Sequence, residues 1–97
     1  QQLGWHGAIA VQLDLTREGG AVSGRARALP CGVQHEQGEL ASEIESTLQR
    51  WCSGLDAHAS AATIESQVQA QVRKVVKRYS QRKPVVLAFV RWRDEVQ

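Results

Sequence analysis

The stretch SAATIESQVQAQVRKVVKRYSQRKPVVLAFVRW, residues 60–92, decides the fold. Ile64, Val68, Val72, Val75, Val76 and Tyr79 recur at spacings of three and four, which places them on one face of a helix. Arg73, Lys74 and Lys77 fall on the opposite side of the same wheel. Pro84 then stops any further helix, because it lacks an N–H and disfavours the α conformation in the residue before it. Val85-Val86-Leu87-Ala88-Phe89-Val90 follows at once, β-branched and almost unbroken in hydrophobicity. Such a run predicts a strand covered on both faces. A helix delivered by a short basic turn onto a buried strand is half of a small layered core.

Working outward, Gly7 to Leu15 alternates strictly, with Ile9, Val11, Leu13 and Leu15 facing one way and Ala8, Ala10, Gln12 and Asp14 the other. Thr16 to Gly20 predicts a hairpin turn, its paired glycines supplying positive φ. Ala21 to Leu29 is a second strand, with Val22, Ala26 and Ala28 on one face and Ser23, Arg25 and Arg27 on the other. Its small apolar residues and arginines suit a solvated edge. From Gly38 the period becomes helical: Leu40, Ile44, Leu48, Trp51, Cys52 and Leu55 share a face. Asp56 or Ser60 caps the helix that follows. The order is β-β-α-α-β, which predicts an α+β fold: a three-stranded sheet with both helices packed on one face, and the last strand paired to the first.

The 97 residues suffice for one small domain, 1–97. No apolar run approaches a membrane span, and nothing at the start resembles a signal peptide. Cys31 and Cys52 lack the spacing of a zinc knuckle or a redox pair and read as reduced and at least partly buried thiols. The abrupt start at Gln1 and the absence of methionine predict a piece of a longer protein. Charge is unevenly spread: six acids against Arg50 alone between Glu36 and Glu65, then eight bases and no acid between Arg73 and Arg93. Two solvated helix faces of opposite sign, packed side by side, account for that split; a basic edge for phosphates or for an acidic partner is the sharper alternative.

No catalytic set is visible. His6, His35 and His58 are far apart and near no carboxylate at helical spacing, so they read as surface residues rather than ligands. Phosphate-binding, dinucleotide and nucleophile-elbow motifs are all missing. The basic segment is the candidate RNA-binding site, with Arg73, Lys74, Lys77, Arg78, Arg82 and Lys83 as phosphate contacts. Few aromatics accompany it, which weakens any reading of unstacked bases there. Trp51 belongs to the first helix stripe. Trp5 and Trp92 lie at strand ends and read either as a packed rim or, with Val86 and Val90 or their neighbours on the sheet, as the candidate contact surface.

The order of elements and the ends of the chain resemble the small C-terminal domain of ribonuclease J, a metallo-β-lactamase/β-CASP RNA-processing nuclease. Members enter this domain through a glycine and a hydrophobic strand, here Gly7-Ala8-Ile9-Ala10-Val11. A glycine-containing hairpin and two charged helices lead to a closing basic-proline-hydrophobic strand. Arg82-Lys83-Pro84-Val85-Val86-Leu87 is the most specific match. The chain departs at Leu29-Pro30-Cys31-Gly32-Val33, where the family has an arginine before the glycine and an aromatic after it, so no role of that arginine is carried over.

The resemblance implies a three-stranded sheet against two helices, in agreement with the periodicity. It further implies a non-catalytic C-terminal accessory domain that supports oligomerisation and RNA cleavage. The zinc ions would be held by a separate catalytic domain through a His-x-His-x-Asp-His motif, with no cofactor in this segment. The implied partners are the enzyme's own catalytic domain, further copies of the protein and RNA, in a bacterial cytoplasm or a chloroplast stroma. The alternative is a free-standing nucleic-acid-binding or protein-interaction module that uses the Arg73–Lys83 edge.

Overall fold

The computed structural model describes residues 7–32, 37–79, 81 and 83–93. The elements are β1 (Ala8–Glu18), β2 (Ala21–Cys31), α1 (Gln37–Trp51), a 3-10 turn (Cys52–Gly54), α2 (Ala61–Lys77) and β3 (Val85–Trp92). The predicted α+β order therefore stands. β1 runs through the expected turn region to Glu18, leaving Gly19 and Gly20 to close the hairpin at φ 59° and 86°. Two successive positive φ values match the twist of the strands on either side, and only glycine adopts them freely.

The sheet order is β2-β1-β3, with β1 antiparallel to β2 and parallel to β3. The expected pairing of the first and last strands is thus observed. Register aligns Val11 with Ala28 and Ala88, Leu13 with Ala26 and Val90, and Leu15 with Gly24 and Trp92. These side chains meet the helices: α1 lies over β2 and α2 over β3. Ile9, Leu13, Leu15, Ile44, Ile64, Val68 and Val72 reach no solvent at all. Gly24 is required by close approach, since a Cβ there would stand 2.9 Å from the Cys52 sulfur and 3.0 Å from a Leu15 methyl.

Ser60 is the N-cap of α2, its hydroxyl accepting from the Thr63 N–H at 3.2 Å. Asp56 instead accepts from the His58 N–H and shapes the connection before the helix. The expectation that β3 is covered on both faces is corrected: its even-numbered residues face the helices, whereas Val85, Leu87 and Phe89 lie on an open face. Cys31 is also exposed rather than partly buried.

An open strand edge would present unpaired backbone groups to any other strand. Each helix reaches down to the strand beneath it. On β2, Glu45 accepts from the Ala28 N–H at 2.9 Å and Gln49 from the Ala26 N–H at 3.1 Å. On β3, Gln69 donates to the Val86 carbonyl at 3.1 Å and Glu65 accepts from the Val90 N–H at 3.4 Å. Both helices use the same device, a glutamate and a glutamine four residues apart on one face. With both edges engaged in this way, the broad surface the sheet offers is its helix-free face.

Candidate functional site

Two surfaces merit attention, and the first was visible in the sequence. Arg73, Lys74 and Lys77 sit on the solvent side of α2, as its periodicity requires. The turn to β3 brings Lys83 and Pro84 back against them. With Ala70, Val76 and Val86 they line a cleft of about 510 Å³, cationic at the rim and apolar at the floor. Arg78 points elsewhere: it pairs with Glu43 of α1, which also accepts from the Tyr79 hydroxyl at 2.6 Å. The Tyr79 hydrogen bond, aided by the Arg78 charge, holds the Glu43 carboxyl below its usual value of 4.5. This bridge is a contact between the acidic and basic helices of the kind the charge split predicts. Arg82 lies outside the described residues.

The second surface is the open sheet face, for which the sequence reading named Val86, Val90 and Trp92 or their neighbours; the neighbours are the ones that face outward. Val86 and Trp92 are only 3% and 2% exposed, and half-buried Val90 faces the helices with them. Trp92 belongs to the core: its Nε1–H donates to the Ala59 carbonyl at 3.0 Å, and the Arg17 guanidinium stacks 3.7 Å from its ring centre. Arg17 in turn donates to the Ala57 carbonyl at 2.6 Å. Trp92 and Arg17 thereby pin the α1–α2 connection to the end of the sheet, and Trp92 is not a free anchor for a partner. Trp5 lies outside the described residues.

The side chains that do face outward are ordered by the strand register. Toward the Ala8 end of β1, Leu29, Val85, Leu87 and Phe89 are 71%, 51%, 47% and 56% exposed around the small residues Ala8 and Ala10. Toward the other end, Asp14 stands between Arg25 and Arg91 across the three strands, with Arg27 one row above and Arg93 just past the end of β3. The signal for the apolar half was present in the unbroken run 85–90, but that run does not reveal which alternate residues the helices cover.

Among the described residues no group of three or more His, Cys, Asp or Glu side chains could hold a metal ion. Of the two thiols, Cys52 is buried and burial raises its pKa, which makes it a poor nucleophile. His58 is exposed, whereas His6 and His35 lie outside the described residues. No described helix is long and apolar enough to cross a membrane.

No curated protein and no solved structure matches the chain. The family model of the ribonuclease J C-terminal domain matches residues 1–91, nearly its whole length. The resemblance noted in Gly7–Val11 and Arg82–Leu87, the β-β-α-α-β fold and this match agree, and the chain belongs to the ribonuclease J C-terminal domain family.

Proposed function

We propose that this chain is a non-catalytic accessory domain of a ribonuclease J-like RNA-processing enzyme. In this reading a separate catalytic domain of the same enzyme holds zinc and cleaves RNA, in a bacterial cytoplasm or a chloroplast stroma. The present domain supports assembly into homo-oligomers. The observation that carries the reading is the apolar half of the open sheet face. Three large hydrophobic side chains, Leu29, Val85 and Leu87, are exposed together, with Phe89 at the border of the patch, while both sheet edges are engaged by helix side chains. Contiguous exposed apolar surface of this kind on a small soluble domain marks a protein contact. Assembly through the face leaves the edge hydrogen bonds intact.

Sedimentation equilibrium tests the assembly. The chain is expected to self-associate, and Leu87→Glu to shift it to the monomer, since a carboxylate would be stranded in the contact. Reversal of Arg73, Lys74 and Lys77 is expected to leave association unchanged. A wild-type chain that stays monomeric, or a Leu87→Glu variant that associates as before, overturns the reading.

A second reading is favoured by the cleft between α2 and β3, where Arg73, Lys74, Lys77 and Lys83 converge. Here the chain acts as a nucleic-acid-binding module through that basic edge. Salt-sensitive RNA binding abolished by the same charge reversal would support it.

A further inference from the structure

The arginine half of the open sheet face fits neither the apolar contact nor the basic cleft of α2. Its arginines come from separate parts of the chain and are gathered by register alone. Arg25 and Arg27 lie on β2, Arg91 on β3 and Arg93 just beyond it. Asp14 stands among them, 3.9 Å from the Arg93 guanidinium and accepting from the Gln12 amide at 3.3 Å. Arg25, Arg27 and Arg91 make no described hydrogen bond or ion pair, so their guanidinium groups are available to a ligand. Fixed on the two strands that flank β1, these planar groups present forked donors suited to phosphate oxygens.

The surface relief is equally informative. β1 contributes Ala10, Gln12, Asp14 and Thr16 to the middle of this face, between the outward side chains of β2 and β3. The outcome is two hollows that follow one another along β1. One, of about 530 Å³, is lined by Ala10, Gln12, Arg27, Leu29 and Phe89, with Glu45 at its β2 side, where that carboxylate accepts from the Ala28 N–H. The next, of about 680 Å³, is lined by Asp14, Thr16, Ser23, Arg25 and Arg93. Phe89 is 56% exposed at the junction of the apolar and arginine halves. An exposed ring beside unengaged arginines at the edge of a hollow is the combination with which sheet surfaces hold unstacked bases.

We propose that this face binds single-stranded nucleic acid, with a base stacked on Phe89 over the first hollow. Arg25, Arg27 and Arg91 neutralise the phosphates that follow it toward the second. A duplex, whose bases remain stacked on one another, cannot use the ring. The choice of RNA rather than DNA rests on the ribonuclease reading; the site itself rests on the arginines, the ring and the hollows.

Fluorescence polarisation with a labelled single-stranded RNA oligonucleotide tests the site. The chain is kept dilute enough to be monomeric, so the outcome does not depend on assembly. At about 0.15 M salt the Debye length is about 8 Å, which confines the effect of a removed charge to its own surface. The combined variant Arg25→Gln, Arg27→Gln, Arg91→Gln is expected to lose at least about tenfold in affinity. Its log–log salt slope should become shallower by about 2, three single-strand phosphate contacts being removed. Phe89→Ala is expected to lose about 5- to 150-fold, the range for one stacked base. The matched variant Arg73→Gln, Lys74→Gln, Lys77→Gln is expected to stay within about twofold. All of these side chains are exposed, so unchanged circular dichroism can verify the fold. No binding by the wild-type chain, equal losses in the two triple variants, or an unaffected Phe89→Ala would each overturn the proposal. Loss of association in Leu87→Glu, read separately by sedimentation, reports on the assembly alone.

Discussion

The two faces of one sheet have opposite fates in this molecule, although β3 is apolar on both. On the helix side, Ile9, Leu13 and Leu15 are sealed and Trp92 is anchored through Arg17 and Ala59. On the far side, Leu87 and Phe89 stand about half exposed beside unengaged arginines. Neighbouring residues of one strand therefore differ in role for a single reason, which is the side on which the helices land. Hydrophobicity places a residue in a strand with access to a core, and packing decides whether it stabilises the fold or is left for a partner.

The comparison can be broken by matched truncations. Leu13→Ala removes a fully buried side chain beneath both helices and is expected to cost about 3 kcal/mol in urea denaturation. Leu87→Ala, on the same sheet but the opposite face, is expected to cost less than about 0.5 kcal/mol in the monomer. Equal losses would mean that the open face is covered in solution as completely as the core face.

A smaller effect sharpens the account of the edges. Glu45→Ala leaves the Ala28 N–H without its acceptor and is expected to cost about 1 kcal/mol. Glu65→Ala, whose bond to Val90 is longer at 3.4 Å, is expected to cost less. The reverse order would show that the edge contacts are not what holds each helix to its strand.

The smallest effect is expected where the two helices meet at the protein surface. The Glu43 carboxyl has a lower pKa in the folded chain than its ordinary 4.5, through Tyr79 and then Arg78. The stabilisation it brings is therefore complete above the unfolded value and is lost as pH falls through the lower, folded value. Glu43→Gln should accordingly be less stable than the wild type near neutrality, and the gap should narrow on acidification below about 4.5. A gap that stays constant with pH would remove Glu43 from the acid response.

Several features were legible because they depend on local period. The stripes Leu40-Ile44-Leu48 and Ile64-Val68-Val72 are buried as their spacing requires. The alternation of β1 chose its own inner face, since its other residues are alanine, glutamine and aspartate. The sequence left Trp92 open between a packed position and a contact surface because its partners, Arg17 and Ala59, are distant in sequence, and a tryptophan between two arginines looks the same at a rim as in a core. The arginine surface escaped notice for the same reason. Arg25 and Arg91 stand 66 positions apart and become neighbours only through Asp14.

The sequence by itself determined the element order, the helix faces, the inner side of β1 and, through Gly7–Val11 and Arg82–Leu87, the family resemblance. Periodicity is a local property, carried by side-chain direction along a helix or strand. Tertiary structure alone decided which side of β3 is covered, which hydrophobic residues remain for a partner and which arginines share a surface. Those outcomes depend on register across strands joined by two helices, and a strand shifted by one residue would exchange its two faces without changing its sequence.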